Sequence, residues 1–316
     1  MEGLVGWIIV LALASSLIEC HSQRHRPPNA KHGDMQPHSV GEAARVASQI
    51  DELDDEDEAN PWELSGLFEG DILLDRYHSR NGILNESMRW ADGTVPYFIE
   101  DEDFTDEQQL VILKAIKEYH QKTCIQFRPY HKKDTSWVVF RSNSSGCWSS
   151  VGMQSDGQTV NLQSPGCVRH GVVIHELLHA LGFFHQQSAS NRDDYVRILW
   201  ENIEPGHEHN FNKYNETEVT SYGIEYDYGS VMHYSAKAFS RNSEPTIEAL
   251  QPNVTLGQRK GLSEKDISKL ELMYQSQCAQ REGSEDPEPP GFIDQFNSLL
   301  GLFKENAAFP TYGFKK

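Results

Sequence analysis

His175-Glu176-Leu177-Leu178-His179-Ala180-Leu181-Gly182-Phe183-Phe184-His185 is the stretch on which the reading of this chain turns. It has the form HExxHxxGxxH. Two histidines four residues apart fall on one face of a helix, one turn apart, so both imidazoles can grip a single zinc ion. Glu176 lies on the same helix, where it can handle the proton of a water on the metal. Gly182 lets the backbone turn sharply after the helix, and His185 returns as a third ligand. Three neutral nitrogens leave one coordination position open, the mark of a catalytic rather than a structural zinc. HExxH alone also describes an ordinary helix with two surface histidines. The glycine, the third histidine and the two spacings exclude that reading.

Around this helix, expected from about His170 to Leu181, the chain reads as a folded domain from Trp90 onward. Val95-Pro96-Tyr97-Phe98-Ile99 has the composition of a strand. Thr105 followed by Gln108 forms a capping box and opens a helix carrying Leu110, Leu113 and Ile116 down to about Gln121. Ile125–Phe127, Trp137–Phe140, Gly146–Gly152 and Thr159–Leu162 read as strands, with a turn at Asp156-Gly157. Beyond the zinc helix the chain is rich in Asn, Gly and Tyr and has little periodicity. One late helix is expected from an N-cap at Ser263, with Asp266 in its first turn.

The ends differ in character. Met1 to about Cys20 is an apolar run of signal-peptide type, although Glu2 replaces the usual basic residue. Residues 21–80 follow as a polar, acidic segment. Its stretch 21–60, with Asp51-Glu52-Leu53-Asp54-Asp55-Glu56-Asp57-Glu58, is expected to be disordered, whereas Leu64–Leu74 is apolar enough to pack. The formal net charge is −19, and residues 1–80 alone hold 6 Lys+Arg against 15 Asp+Glu. Such a balance excludes nucleic acid as a partner. Residues 281–316 begin as an acidic, Pro-rich linker and end in a short amphipathic segment with Phe292, Phe296, Leu299, Leu300 and Phe303 at helical spacing. Beyond Cys20, Cys124, Cys147, Cys167 and Cys278 make an even set that predicts two disulfides with three possible pairings. Sequons at Asn85, Asn143, Asn215 and Asn253 fit secretion. No other segment could span a bilayer, so a secreted, extracellular protein without a stable membrane anchor is expected, as a monomer rather than an oligomer.

The pattern extends further. His175 to His185, Ser188, Arg192-Asp193-Asp194-Tyr195-Val196, Asn202-Ile203, Asn210-Phe211 and Ser230-Val231-Met232-His233-Tyr234 closely resemble the astacin family of zinc endopeptidases, within the metzincins. So do Gly146-Cys147-Trp148-Ser149, Gly257-Gln258-Arg259 and, upstream, Phe68-Glu69-Gly70-Asp71. The resemblance covers about Asn81 to Cys278. It implies an α+β catalytic domain over residues 81–280. Its N-terminal half would hold a twisted, mostly parallel mixed sheet and two long helices. Its C-terminal half would be irregular with one late helix, and the cleft would lie between them.

The resemblance also implies roles. His175, His179 and His185 would hold one Zn2+ per chain, and Glu176 would be general base and then general acid. Tyr234 would be a fifth ligand that swings off to meet the developing oxyanion, and Met232, in the Met-turn, would floor the site. Cys147, Trp148 and Ser149 would form the edge strand that pairs with an extended polypeptide substrate. The disulfides would be Cys124–Cys278 and Cys147–Cys167. Asp71 would be the zymogen's zinc switch, with Gly70 giving the backbone close access. A trypsin-like protease would activate the chain near Arg80-Asn81, with Arg76 as a second candidate.

Three positions depart from the family. Gln186 replaces a glutamate that relatives link to the buried N-terminus of the mature chain, and Gln offers no charge to an ammonium. On that reading Gln186→Glu should raise activity after the pro-region is removed. Ala189 and Asn191 replace an Arg and an Asp. Lys237 and Arg241 are candidates to receive an acidic substrate side chain. The leading reading is a secreted zinc endopeptidase made as a zymogen. The rival is a catalytically weak or inactive astacin-like binding protein. The complete set of Glu176, three histidines and Tyr234 favours the first, and the open coordination position disfavours a structural metal domain.

Overall fold

Strands that lie inside a sheet covered on both faces are buried and largely apolar along their length; Val138-Val139-Phe140 is apolar throughout, and Gln158 to Leu162 is buried throughout with Val160 and Leu162 apolar. In the computed structural model, which describes residues 26–30, 39–54, 59–74, 86–215, 220–281 and 291–306, they form the centre of a five-stranded sheet. Strands β1 (Thr94–Ile99), β2 (Gln126–Pro129), β3 (Val138–Arg141), β4 (Cys147–Ser149) and β5 (Gln158–Leu162) are arranged in the order β2-β1-β3-β5-β4. The first four run parallel and β4 closes one edge antiparallel to β5. The expected mostly parallel mixed sheet is therefore present.

Helix α1 (Val40–Asp51) precedes the sheet, α2 (Asp106–Lys122) connects β1 to β2, and α3 (His170–Ala180) follows β5. Thr105 and Gln108 exchange the two hydrogen bonds of the expected capping box. From α2, Ile112, Leu113, Ile116 and Tyr119 enter the core, and the Tyr119 hydroxyl donates to the Ile174 carbonyl on α3 at 2.7 Å. All of α3 from Gly171 to Ala180 is buried. It is a core helix, apolar apart from His175, Glu176 and His179.

Past α3 the chain is irregular, as its weak periodicity predicts. It contains short 3-10 turns and an antiparallel pair, β6 (Val196–Ile198) with β7 (Ile247–Ala249). A second apolar cluster forms around Phe211, Tyr226 and Tyr234. The single late helix of the sequence reading is two helices, α4 (Glu264–Met273) and α5 (Gln275–Arg281). The break is at Tyr274, which is fully buried and whose hydroxyl donates to the Leu181 carbonyl at 2.9 Å. The disulfide Cys124–Cys278 ties α5 to the end of α2 across 154 residues, and Cys147–Cys167 ties β4 to the turn before α3.

Part of the acidic N-terminal region is more ordered than its composition suggests. Within the stretch expected to be disordered, α1 is capped by Ser39 and buries Val46 and Ile50, four residues apart. Asp51 accepts from Gln163 Nε2 at 2.9 Å and from the Gly166 amide at 3.2 Å, and Arg169 donates to the Leu53 carbonyl. These partners, more than 100 residues away in sequence, supply the order that charge density opposes. The amphipathic segment of the tail forms α6 (Phe292–Asn306), which docks on α2 and β2. Phe292 is fully buried beside His120, and the Tyr97 hydroxyl donates to Gln295 Oε1 at 2.8 Å. Among the described residues no helix is long and apolar enough to cross a membrane. The leader, Arg76, Arg80-Asn81 and Asn85 lie outside the described residues, whereas Asn143, Asn215 and Asn253 are exposed.

Candidate metal centre

The site begins with the helical period. His175 and His179 project from α3 one turn apart, their ring centroids 4.8 Å from each other. Gly182 ends the helix at φ +109°, a conformation open to glycine, and its amide donates to the His179 carbonyl at 2.8 Å. The chain thereby returns His185 to within 5.3 Å of His175 and 4.8 Å of His179, centroid to centroid. Each ring is oriented through Nδ1. His175 donates to the Val231 carbonyl at 2.8 Å, His179 to the Phe183 carbonyl at 2.7 Å and His185 to Glu69 Oε2 at 2.9 Å. With Nδ1 occupied, the three Nε2 atoms point inward.

They meet the Asp71 carboxylate. Its Oδ2 is 2.9 Å from His175 Nε2, and its Oδ1 is 3.4 Å from the Nε2 atoms of both His179 and His185. One ligand atom from each of these four buried residues lies within 4.8 Å of the others. His179 Nε2, His185 Nε2 and Asp71 Oδ1 have no hydrogen-bond partner. A buried polar atom left this way costs about 1–3 kcal/mol, and three of them around one point fit a cation that takes all of them. Nitrogen donors with one carboxylate suit zinc.

Burial shapes the charges. It pulls His175 down to about 4, overriding its Asp71 contact. At His185 burial acts in the same direction, but Asp71 and Glu69 prevail and hold it up at about 9. The negative charges that keep that proton are equally those a dication would meet. Glu176 is fully buried on the same helix with both carboxylate oxygens unpaired. Burial first, and the Asp71 charge second, hold its carboxyl well above the usual carboxylate range.

Residues 60–73 lie over these histidines. The Trp62 indole stacks on the His175 ring at 4.0 Å and 14°. Glu63 is buried, accepts from the Ser235 amide at 2.6 Å and hydroxyl at 2.8 Å, and has its carboxyl raised by burial. The Ser65 hydroxyl both donates to and accepts from the Cys147 backbone at 2.9 Å. Glu69 Oε1 accepts from the Tyr214 hydroxyl at 2.6 Å, and the Tyr234 hydroxyl donates to the Glu69 carbonyl at 2.6 Å. Gly70, at φ +95°, brings the backbone under Trp62, where a Cβ would lie 3.0 Å from the Trp62 carbonyl oxygen. Ile72 then pairs in parallel with Ser149 on β4, through Ser149 N to Asp71 O at 3.1 Å and Leu73 N to Ser149 O at 2.9 Å.

The structure thus brings His175, His179, His185, Glu176, Asp71, Tyr234 and the Cys147–Ser149 edge together. Met232 is buried in the adjoining core, and its carbonyl accepts from the Gln186 amide at 2.9 Å. Trp62, Glu63 and Glu69 were given no role in the sequence reading. Asn60-Pro61 followed by Glu63 is nonetheless a helix-start signal, and it forms a capped 3-10 turn. Gln186 is not without an ammonium, because the Lys269 side chain on α4 donates to its Oε1. Ala189 and Asn191 line a small cavity of ≈ 60 Å³ with Lys269 and Tyr222. A cleft of ≈ 1460 Å³ contains none of the metal-facing residues. Lys237 lines it with Lys114, Arg169 and Arg259, and Arg241 does not.

A family model described as Astacin (Peptidase family M12A) matches residues 82–275. Meprin A subunit beta of Homo sapiens is 46% identical over 210 residues, which are 66% of this chain and 29% of that protein. Zinc metalloproteinase nas-13 of Caenorhabditis elegans is 43% identical over 195 residues, 62% of this chain and 43% of its own length. Seminal metalloprotease 1 of Drosophila melanogaster is 44% identical over 223 residues, 68% of this chain and 89% of its own. This chain therefore spans less than half of the first two relatives and most of the third. Among solved structures, the hatching-enzyme zinc-protease High choriolytic enzyme 1 of Oryzias latipes superposes with a TM-score of 0.55 at 36% identity, over 59% of this chain and 92% of that one.

Proposed function

Since the chain belongs to the astacin family, peptidase family M12A, we propose that it is a secreted zinc-dependent endopeptidase held latent by its own N-terminal segment. The observation that carries this reading is the Asp71 carboxylate set among three convergent histidines with Glu176 beside them. Residues 1–20 would be the signal peptide, 21–80 the pro-region, 81–280 the catalytic domain and 281–316 a linker and docked tail.

His175, His179 and His185 would hold the zinc, which when bound acidifies water and polarises a peptide carbonyl. Glu176 takes the proton of the attacking water and returns it to the leaving amine. Its unpaired carboxylate oxygens, on the same helix as His175 and His179, support that work. Tyr234 donates its hydroxyl hydrogen bond to the developing oxyanion, once Glu69 no longer accepts it. Met232 packs beneath the histidines. Cys147, Trp148 and Ser149 offer backbone groups to an extended polypeptide substrate; Asp71 and Leu73 now occupy those of Ser149, and the Ser65 hydroxyl those of Cys147. Cys147–Cys167 anchors that edge. A trypsin-like protease cutting at Arg80-Asn81 would release the segment. Exposure of Asn143, Asn215 and Asn253 supports glycosylation on the secretory route.

The test is to treat the full-length chain with trypsin and follow cleavage of a denatured protein. Chelator-sensitive activity that appears on cleavage and is lost in Glu176→Ala is expected. A trypsin-treated, zinc-loaded chain that cuts nothing would replace this reading with that of an inactive binding protein.

A further inference from the structure

Lysine is almost never fully buried unless its ammonium is paired. Lys269 is 8% exposed, on α4 behind the metal histidines. Its Nζ donates to Gln186 Oε1, the side chain of the residue that directly follows His185. One turn earlier on the same helix face, Asp266 is 2% exposed. Its carboxylate accepts from the Ser230 hydroxyl at 2.6 Å and from the Val231 amide at 3.0 Å.

Both contacts lead to a metal-facing ring by a short route. Val231, held at its amide by Asp266, presents the carbonyl that accepts from His175 Nδ1. Gln186 is held at both ends, its amide on the Met232 carbonyl and its side chain on Lys269. It therefore fixes where the chain leaves His185. Two side chains three residues apart share a helix face, so α4 grips the Met-turn and the residue after His185 together.

We propose that Asp266 and Lys269 are positioning residues that act through Val231 and Gln186 to keep His175 and His185 in metal-binding orientation. Lys269 would do this from within the fold, with an ammonium supplied by α4. The bland alternative is that both groups only stabilise the packing of α4. The two differ in what is lost: packing alone changes stability, whereas positioning changes metal affinity at constant stability. Partners that orient a ligating histidine typically contribute about 10- to 100-fold in metal affinity.

The proposal rests on zinc binding by His175, His179 and His185. Full-length parent, Lys269→Met, Gln186→Leu, the double variant and Asp266→Asn are titrated with zinc against a competing chelator. The melting temperature of each metal-free chain is measured alongside. Expected are a roughly tenfold or greater rise in zinc Kd for Lys269→Met, a rise in the same direction for Asp266→Asn, and a double variant no weaker than the weaker single. The melting temperatures of the metal-free chains should not follow this order. The double variant exchanges an amide and an ammonium for two apolar side chains, a change folds tolerate, and it decides the matter if Lys269→Met does not fold. A double variant with the parent's zinc Kd, additive losses, or losses that track melting temperature would overturn the proposal. A parent that binds no zinc would instead overturn the metal site itself.

Discussion

Replacing Asp71 by alanine removes the carboxylate from the three histidines and leaves the rest of the covering segment in place. Of its three contacts, the one at 2.9 Å to His175 Nε2 is the closest approach of the charged carboxylate, at the point where a metal held by the rings would take it as a ligand, and the two at 3.4 Å are longer. Counting the short one alone gives about 2–3 kcal/mol, which converts to about 30- to 150-fold in the population of chains with an open cleft. Opening will not be complete. Trp62 remains fully buried against His175, worth about 1.5–3 kcal/mol for a large apolar side chain, and Glu63 and Glu69 keep their partners. The assay is hydrolysis of a quenched fluorogenic peptide by full-length chain in an Arg76→Gln, Arg80→Gln background, which blocks tryptic activation at those sites. Asp71→Ala should raise the basal rate by about 30- to 150-fold yet stay below fully activated parent. If Asp71→Ala stays within threefold of its background while Trp62→Ala releases activity, the carboxylate is not what keeps the cleft closed.

Three further outcomes are expected. Glu118 is held at about 2, below its ordinary 4.5. Burial would raise it, but His170, Lys122 and the Leu262 amide outweigh that. Its stabilising effect is therefore complete above about 4.5 and fades as pH falls toward 2. Glu118→Gln should flatten the loss of stability in that window, measured by urea midpoints, and a parent curve already flat there would refute the assignment. Phe292→Ala should cost about 3–5 kcal/mol in urea unfolding, and a loss below about 1 kcal/mol would mean that α6 does not dock as described. Gln186→Glu, with Lys269 already facing it, should change the peptidase rate of the activated chain less than threefold. A gain of tenfold or more would show that a missing negative charge at residue 186 limits the enzyme.

The centre of the molecule was legible because its signals are local. The spacing of His175, His179 and His185 follows from the helical period and one glycine. Thr105 with Gln108, and Ser263 with Asp266, are capping pairs three residues apart. What escaped depends on contacts between distant segments. Helix α1 reads as charge, and only its seat on Gln163, Gly166 and Arg169 gives Val46 and Ile50 somewhere to be buried. Glu69 looks like a spacer between Phe68 and Gly70 until the chain brings it to His185 and Tyr214. Lys269 is one lysine on a helix of mixed charge until the fold brings it onto Gln186, 83 positions away in sequence. The break at Tyr274 has no glycine or proline to announce it. It arises because the aromatic ring is drawn into the core.

The way residues 60–73 are held bears on what an activating cut would accomplish. Every contact described for that segment is made by residues up to Leu73, and neither described disulfide ties it to the catalytic domain. A cut between Leu74 and Glu86 would therefore break none of those contacts. It would change only the tether. A covered cleft that refills from a short linker sees its inhibitor at an effective concentration on the order of millimolar. Once severed, the same segment must compete at whatever concentration the surroundings allow. Activation on this view is a dilution, slow where the protein is crowded and complete where it disperses, and the freed segment remains an inhibitor in solution.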